Sequence, residues 1–423
     1  MMRHPNRRTA LKTIATAPLA WQIGKQSLAS SKPATPLPVA AVITEYHENS
    51  HADVIVGKIL EGFRQDGGPG PALKLAALYV DQFTKRDLSR DLARKHGFPI
   101  VPTIAEAITL GTNQVQVAGV LSIGEHGTYP FTSDTRQHQY PRRRFFDEIT
   151  ATFRKHNKVV PVFNDKHLAY NWTAAKHMYD TAVNMKIPFM AGSSLPVTWR
   201  LPATELPIGT EIEEALGIGY GGLESYGFHA LETLQSVTER RRGGETGVRA
   251  VQVIQKGAIE KSRQAGRWSE TLLKAALAAT EAKVESDKLP TALEKSAALY
   301  LVDYHDGLKG TVAMVNGIGS QFGIALKLRG VDKPLVNWFW LEDRKPYGHF
   351  AELVKAIETM IHTGKAVYPV ERTLLTTGIL DRVMHSAFQG GKRLETPELA
   401  IQYQPTDWKF ANRGGVNPPP PAR

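Results

Sequence analysis

The stretch Val159–Trp172, "VVPVFNDKHLAYNW", joins an apolar run to a helical pattern through a cluster of polar side chains. Residues 159–163 read as a buried strand, and the polar cluster follows at once as Asn164, Asp165, Lys166 and His167. Ligands of open parallel sheets bind beyond the carboxyl ends of the strands. The stretch therefore predicts a strand that ends in a ligand crevice.

Similar apolar runs recur along the first half of the chain, and each is followed by a helical pattern. They cover residues 39–46, 72–80, 115–124, 158–163 and 187–194. The runs are apolar throughout instead of alternating, which is typical of parallel strands buried on both faces. Residues 38–192 are therefore predicted to form a Rossmann-like α/β domain, with a doubly wound parallel sheet.

The second half of the chain has longer strand patterns, glycine-rich turns and fewer helices. The predicted strands cover residues 209–222, 248–257, 298–317, 319–330 and 334–342, and the predicted helices cover 229–241, 269–282 and 350–363. This pattern predicts an α+β domain over residues 193–403, with an open, mainly antiparallel sheet. Residues 404–423 are rich in glycine, proline and asparagine, and this composition predicts a disordered tail.

Composition narrows the class of protein. A chain of 423 residues favours two domains, and no apolar stretch reaches the length of a membrane-spanning helix. The net charge of +11 is scattered. The densest runs, 142–144 and 240–242, carry no interleaved aromatic residues, so a basic surface or an anionic ligand is favoured over nucleic acid. The absence of cysteine excludes disulfides, zinc–thiolate sites and thiol nucleophiles.

The N-terminus has the pattern of an export signal. Asn6-Arg7-Arg8-Thr9 resembles the twin-arginine motif, and a weakly apolar segment, residues 13–21, follows it. Residues 1–36 are therefore predicted to be a signal and linker, and the protein is expected to be periplasmic or secreted.

The order of motifs resembles the Gfo/Idh/MocA family of sugar and inositol dehydrogenases over most of residues 38–403. The family's fifth strand ends in Glu-Lys-Pro, and here Asp165-Lys166-His167 stands in that place, followed by the matching helix pattern "NWTAAKHMYDTAVNM". The family's Asp-x-Gly-x-His-x-x-Asp element is matched in "LESYGFHALETL" by Gly227 and His229, with Ser225 and Glu232 in the two acidic positions.

The resemblance implies an oxidoreductase that acts on a sugar or polyol with NAD or NADP. It makes Lys166 and His229 the catalytic pair, in which the imidazole takes a hydroxyl proton while the lysine polarises the oxygen. The implied substrate-binding residues are Asp165, His167, Arg200, Tyr226, Glu232 and His126. The implied cofactor-binding residues are Thr44, Glu45, Tyr46 and Glu125. The resemblance also implies a homo-oligomer, a dimer through the sheet face of the second domain.

The first turn departs from the family pattern and leaves two alternatives open. In place of Gly-x-Gly-x-x-Gly it reads "TEYHENSHAD", with no glycine between Val39 and Gly57, whereas those glycines let the backbone approach a pyrophosphate. One alternative is a sugar-binding protein without nucleotide. The other is a cofactor-free or metal-assisted lyase or isomerase. Histidines and acids follow several strands, but no local metal-binding spacing occurs, so polar residues lining a sugar site are favoured.

A long polar segment, residues 125–146, follows the central strand. Long loops in compact domains are often functional. The segment is expected either to be a solvated surface or to cover a carbohydrate or an acidic group through Tyr129, Arg136, Tyr140, Arg142 and Arg143.

Overall fold

The computed structural model describes Met1 and residues 35–282, 285, 287–408 and 410–414. The predicted export signal lies outside these ranges except for Met1 and the end of its linker. Within the described part of the chain, no helix is both long and apolar enough to cross a membrane.

The first lobe is built on a six-stranded parallel sheet, as the sequence predicts. Its strands are β1 (Leu37–Ile43), β2 (Leu73–Val80), β3 (Ile100–Val101), β4 (Gly119–Ile123), β5 (Val162–Asp165) and β6 (Phe189–Gly192). Its helices are α1 (His51–Glu61), α2 (Ser89–His96), α3 (Ile104–Thr109), α4 (Arg142–Lys155) and α5 (Trp172–Asn184). The strand order is β3-β2-β1-β4-β5-β6. The order reverses between β1 and β4, so a crevice opens at the carboxyl ends of these two strands.

Strand β5 differs from its predicted bounds. It begins at Val162 and continues through Asn164 and Asp165, because β6 pairs with it as far as Asp165 and Gly192. Both polar side chains are fully buried at the end of the sheet. The polar cluster therefore begins inside the strand instead of after it.

The second lobe has an eight-stranded sheet. Its strands are β7 (Trp199–Leu201), β8 (Ile212–Gly219), β9 (Val248–Gln255), β10 (Ala297–Tyr304), β11 (Lys309–Val315), β12 (Phe322–Leu328), β13 (Leu335–Trp340) and β14 (Leu394–Glu395). Its order is β14-β9-β10-β11-β8-β12-β13-β7, and the pairs are antiparallel except for β8 with β11. The helices are α6 (Gly227–Thr238), α7 (Ile259–Gln264), α8 (Glu270–Ala278), α9 (Leu289–Ser296), α10 (Gly348–Thr363) and α11 (Glu371–Phe388). The predicted open, mainly antiparallel sheet is confirmed.

Both faces of the second sheet are covered within the chain. Along β10, Ala298 and Tyr300 belong to the core that contains residues of α6 and α11, whereas Leu299 and Leu301 belong to the core that contains residues of α7, α8 and α9. A second copy would have to displace those last three helices to reach the sheet itself.

Two segments of the second half pack where the sequence does not predict them. Helix α10 packs on the first sheet, since Leu353 and Ile357 share a core with residues of β1 and β2. In the tail predicted to be disordered, Phe410 is buried and Asn412 Oδ1 accepts a hydrogen bond of 2.6 Å from the Arg200 amide. The described end of the tail is therefore packed, and the Asn412 side chain hydrogen-bonds to the edge strand β7.

Candidate active site

The two lobes meet at Lys166, which directly follows β5. Its backbone lies in the left-handed region, with φ of 66°, and its amide donates to the Gly192 carbonyl (3.1 Å). The ammonium Nζ lies 3.3 Å from Glu125 Oε1 and donates to the Ser225 carbonyl of the second lobe (3.3 Å). Lys166 is thus held between an acid of the first lobe and the turn that precedes α6.

His229 lies in the first turn of α6, three residues after the N-cap Tyr226. Burial lowers the pKa of His229 well below its usual value, and the nearby Lys166 cation lowers it further. Its Nδ1 is buried and has no hydrogen-bond partner among the described residues. Lys166 is therefore close enough to act electrostatically on His229, whose imidazole is neutral.

Arg142 anchors the acidic side of this site. Its side chain is fully buried, and its guanidinium donates to Glu125 Oε2 and to His167 Nε2, the latter over 2.9 Å. Because arginine only donates, His167 Nε2 must accept and the ring proton must lie on Nδ1. Burial opposes ionisation of Glu125, but Lys166 and Arg142 outweigh it and hold the pKa of Glu125 well below its usual value. Glu125 is therefore a carboxylate shared by two cations.

A group of histidines lines the adjoining edge. His51 Nδ1 lies 2.7 Å from Asp165 Oδ2, and His47 Nε2 lies 3.0 Å from Glu45 Oε1. The His126 ring packs 5.2 Å from that of His47 and 5.5 Å from that of His51. Burial and the neighbouring His51 lower the pKa of His126 to about 3. Within the described ranges, no three histidine or acidic side chains are placed to hold a metal ion.

The other predicted substrate-binding residues divide into two groups. Tyr226 is partly exposed, and its ring lies 5.9 Å from that of His229. Glu232 is buried and accepts from the Ser193 amide (2.8 Å), so it holds the chain after β6. The structure does not place Arg200 beside the other predicted substrate-binding residues. Pairing of β7 with β13 buries it in the second lobe, where its guanidinium packs on Phe339.

The four predicted cofactor residues do not form an open cradle. Tyr46 is 1% exposed and belongs to the core of the first lobe. The Thr44 hydroxyl donates to the Glu125 carbonyl. At the start of α1, Ser50 Oγ accepts from the Asp53 amide (3.2 Å), and the Asp53 carboxylate accepts from the Asn49 amide (2.9 Å). A carboxylate thus occupies part of the anion site that a helix N-terminus offers.

The segment after β4 crosses the same crevice. Tyr129 donates to Asp81 Oδ2 (2.6 Å), and Thr128 and Gln82 exchange two hydrogen bonds of 2.8 and 3.0 Å. Asp81 and Gln82 follow β2, so the segment must pass over the end of β1 to reach them. A dinucleotide laid across these strand ends would have to displace it. The residues present therefore do not fit a dinucleotide in this arrangement.

Comparison with solved structures identifies the fold of the chain. No protein-family model and no curated protein matches the chain, but 216 chains of solved structures do. GenD2 from gentamicin A biosynthesis, in complex with NAD, has a TM-score of 0.55 at 14% identity, covering 86% of this chain and 97% of that one. The chain has the fold of Gfo/Idh/MocA dehydrogenases.

Two further solved structures agree. Apo scyllo-inositol dehydrogenase from Lactobacillus casei has a TM-score of 0.51 at 11% identity, covering 85% of this chain and 98% of that one. An oxidoreductase from Agrobacterium radiobacter, in complex with NAD+, L-tartaric acid and magnesium, has a TM-score of 0.51 at 14% identity, with the same coverages. These neighbours include an inositol dehydrogenase and two structures with bound NAD, and at these identities the likeness establishes the fold alone.

Sequence reasoning missed three features of the site. It did not identify Arg142 as the buried partner of Glu125, because the residue stands in an arginine run that reads as surface. It did not pair His51 with Asp165, which lies 114 residues away. It also passed over Glu224, which accepts from the His138 amide (2.8 Å). Its position in the sequence, directly before the motif that contains His229, could have identified Glu224.

Proposed function

We propose that this protein is an oxidoreductase-like enzyme that acts on a hydroxyl-bearing carbon of a sugar or polyol. The observation that carries the proposal is the hydrogen bond from Lys166, at the carboxyl edge of the first sheet, to the Ser225 carbonyl just before α6, the helix that carries His229 in its first turn. A base and a cation at such an edge suit proton transfer to and from a bound hydroxyl.

The chain's own residues would divide this work. His229 is neutral and takes the hydroxyl proton. Lys166 is an ammonium beside Glu125, and it stabilises the negative charge that develops on the substrate oxygen. Its hydrogen bond to the Ser225 carbonyl links the two lobes. His229 and Lys166 can therefore act on the same hydroxyl group of the substrate.

The first candidate reaction is oxidation with NAD or NADP, as the family resemblance implies. The dehydrogenase neighbours with bound NAD support it. A dinucleotide would supply the hydride acceptor, while His229 and Lys166 would act on the proton and the oxygen of the hydroxyl. In the arrangement observed here, the segment after β4 crosses the crevice that the dinucleotide would occupy.

The second candidate is a nucleotide-independent isomerase or lyase, and the filled crevice favours it. Such a reaction needs a base, an acid and a stabilised oxyanion, and it needs no hydride acceptor. His229, Lys166 and the polar edge supply these groups without a change in the crevice.

The test is turnover of myo-inositol, D-glucose, D-gluconate and D-glucuronate with and without NAD or NADP. Oxidation predicts reduced nicotinamide in proportion to product. The nucleotide-independent reaction predicts product, or solvent deuterium at carbon by NMR, in the absence of nucleotide. No reaction of any kind across the panel would contradict the proposed enzyme and favour the sugar-binding alternative.

We also propose export by the twin-arginine route to the periplasm or beyond, supported by Arg7, Arg8 and the weakly apolar segment that follows. Replacing both arginines by lysine should retain the protein in the cytoplasm, as measured by cell fractionation. Unchanged export of the double variant would contradict this proposal.

A further inference from the structure

A cavity of about 360 Å³ lies between the lobes, and Glu125 and His167 of the polar edge line it. Its walls come from the segment after β4, from residues 222–225 before α6, and from Met384 of α11. This volume lies within the range of small-molecule sites. Glu125 and Ser225 line the cavity, and both contact Lys166 Nζ. The ammonium of Lys166 therefore lies one contact away from the cavity, behind these two wall residues.

One wall of the cavity is a stack of three rings. The Phe131 and His138 rings stack at 4.2 Å, and the His138 and Tyr140 rings lie 3.9 Å apart. The stack is held in a hairpin in which the Thr132 amide donates to the Gln137 carbonyl (2.9 Å). All three rings line the cavity, so this wall is largely apolar and is held in place by the packing of the rings on one another.

The same wall carries an arginine without an acidic partner. Arg136 is exposed, and its guanidinium packs 4.9 Å from the Phe131 ring centre. In the part of the chain that the structure describes, no carboxylate forms an ion pair with it. The guanidinium offers a planar set of donors that matches a carboxylate.

An acid faces the cavity from the opposite lobe. Both carboxylate oxygens of Glu224 accept from the His138 amide, at 3.0 and 2.8 Å. Burial raises the pKa of Glu224 to about 7. The acid is thus protonated in part near neutral pH, so it can donate to a hydroxyl as well as accept from one.

We propose that this cavity is the substrate site and that it takes a sugar acid or another carboxylated polyol. Arg136 binds the carboxylate, the stack of Phe131, His138 and Tyr140 supports the carbon skeleton, and Glu224 hydrogen-bonds a hydroxyl. The inference rests on the proposed function only for the reaction that the ligand undergoes. Binding of the ligand does not depend on the proposed function.

The test is calorimetric binding of D-glucuronate and D-glucose to the full chain without nucleotide. D-Glucuronate should bind at least about tenfold tighter than D-glucose. Arg136→Gln should weaken D-glucuronate binding by about ten- to a hundredfold and leave D-glucose binding within about threefold. Phe131→Leu should weaken both by about three- to tenfold. Both side chains are exposed, so both variants should fold.

Arg154→Gln is the matched control, because Arg154 is also exposed and lies on α4 outside the cavity. Equal binding of the two sugars, no binding of either, or equal effects of Arg136→Gln and Arg154→Gln would overturn the inference. Binding that depends on Arg136, without turnover of any panel compound, would support this site and contradict the proposed enzyme. Turnover that Arg136→Gln does not change would support the proposed enzyme and contradict this site.

Discussion

Replacing Lys166 by methionine should lower kcat/KM by about a hundred- to ten-thousandfold for the panel compound that reacts fastest. Methionine keeps the length of the side chain but removes the charge that lies 3.3 Å from Glu125 Oε1. His229→Gln should cause a loss of the same order, since glutamine cannot take up the proton. The measurement is steady-state turnover, with the thermal unfolding midpoint of each variant to confirm folding.

The two losses should not add. Groups that act as a unit in one step show strongly non-additive effects, so the double variant should be little slower than either single variant. Lys176→Met is the control, because Lys176 pairs with Asp180 on an exposed face of α5. Folded Lys166→Met and His229→Gln variants that keep turnover within about threefold of the wild type would exclude the pair from catalysis.

The sequence predicts the first lobe well because its strands are continuous apolar runs. A continuous apolar run indicates a strand that is buried on both faces. Such a run can be recognised from residues that are neighbours in the sequence. The polar edge after β5 is predicted for the same reason, since a buried strand that ends in Asp165, Lys166 and His167 marks the crevice. Lys166 and His229 are predicted from motif order, and their catalytic role stays a prediction.

What the sequence does not predict depends on distant pairings. Tyr46 reads as part of a nucleotide loop, but it packs into the core that α10 helps to close from more than 300 positions further along the chain. Arg200 reads as a ligand, but the pairing of β7 with β13 decides its burial. The segment after β4 is recognised as long and polar. Its path over β1 depends on Tyr129 meeting Asp81, a contact that no local pattern shows.

Arg142→Met should lower the free energy of unfolding by about 3–5 kcal/mol. Arg142 is 0% exposed and is the hydrogen-bonding partner of both Glu125 and His167. Removing it leaves the buried Glu125 carboxylate with one cation, Lys166, in place of two, and leaves His167 Nε2 without its donor. Buried polar groups that lose such charged partners destabilise the fold strongly. Urea unfolding followed by circular dichroism measures the change, and the slope with urea should stay the same.

The neighbouring Arg143 provides a matched control for this prediction. Its side chain is 44% exposed and pairs with Asp147 over 3.3 Å on the surface of α4, and such pairs contribute about 0–1 kcal/mol. Arg143→Met should therefore change stability by less than about 1 kcal/mol. Adding Glu125→Gln to Arg142→Met should deepen the loss, because it leaves the buried Lys166 ammonium without its carboxylate partner. Equal losses of stability in Arg142→Met and Arg143→Met would show that the buried network around Glu125 does not stabilise the first lobe.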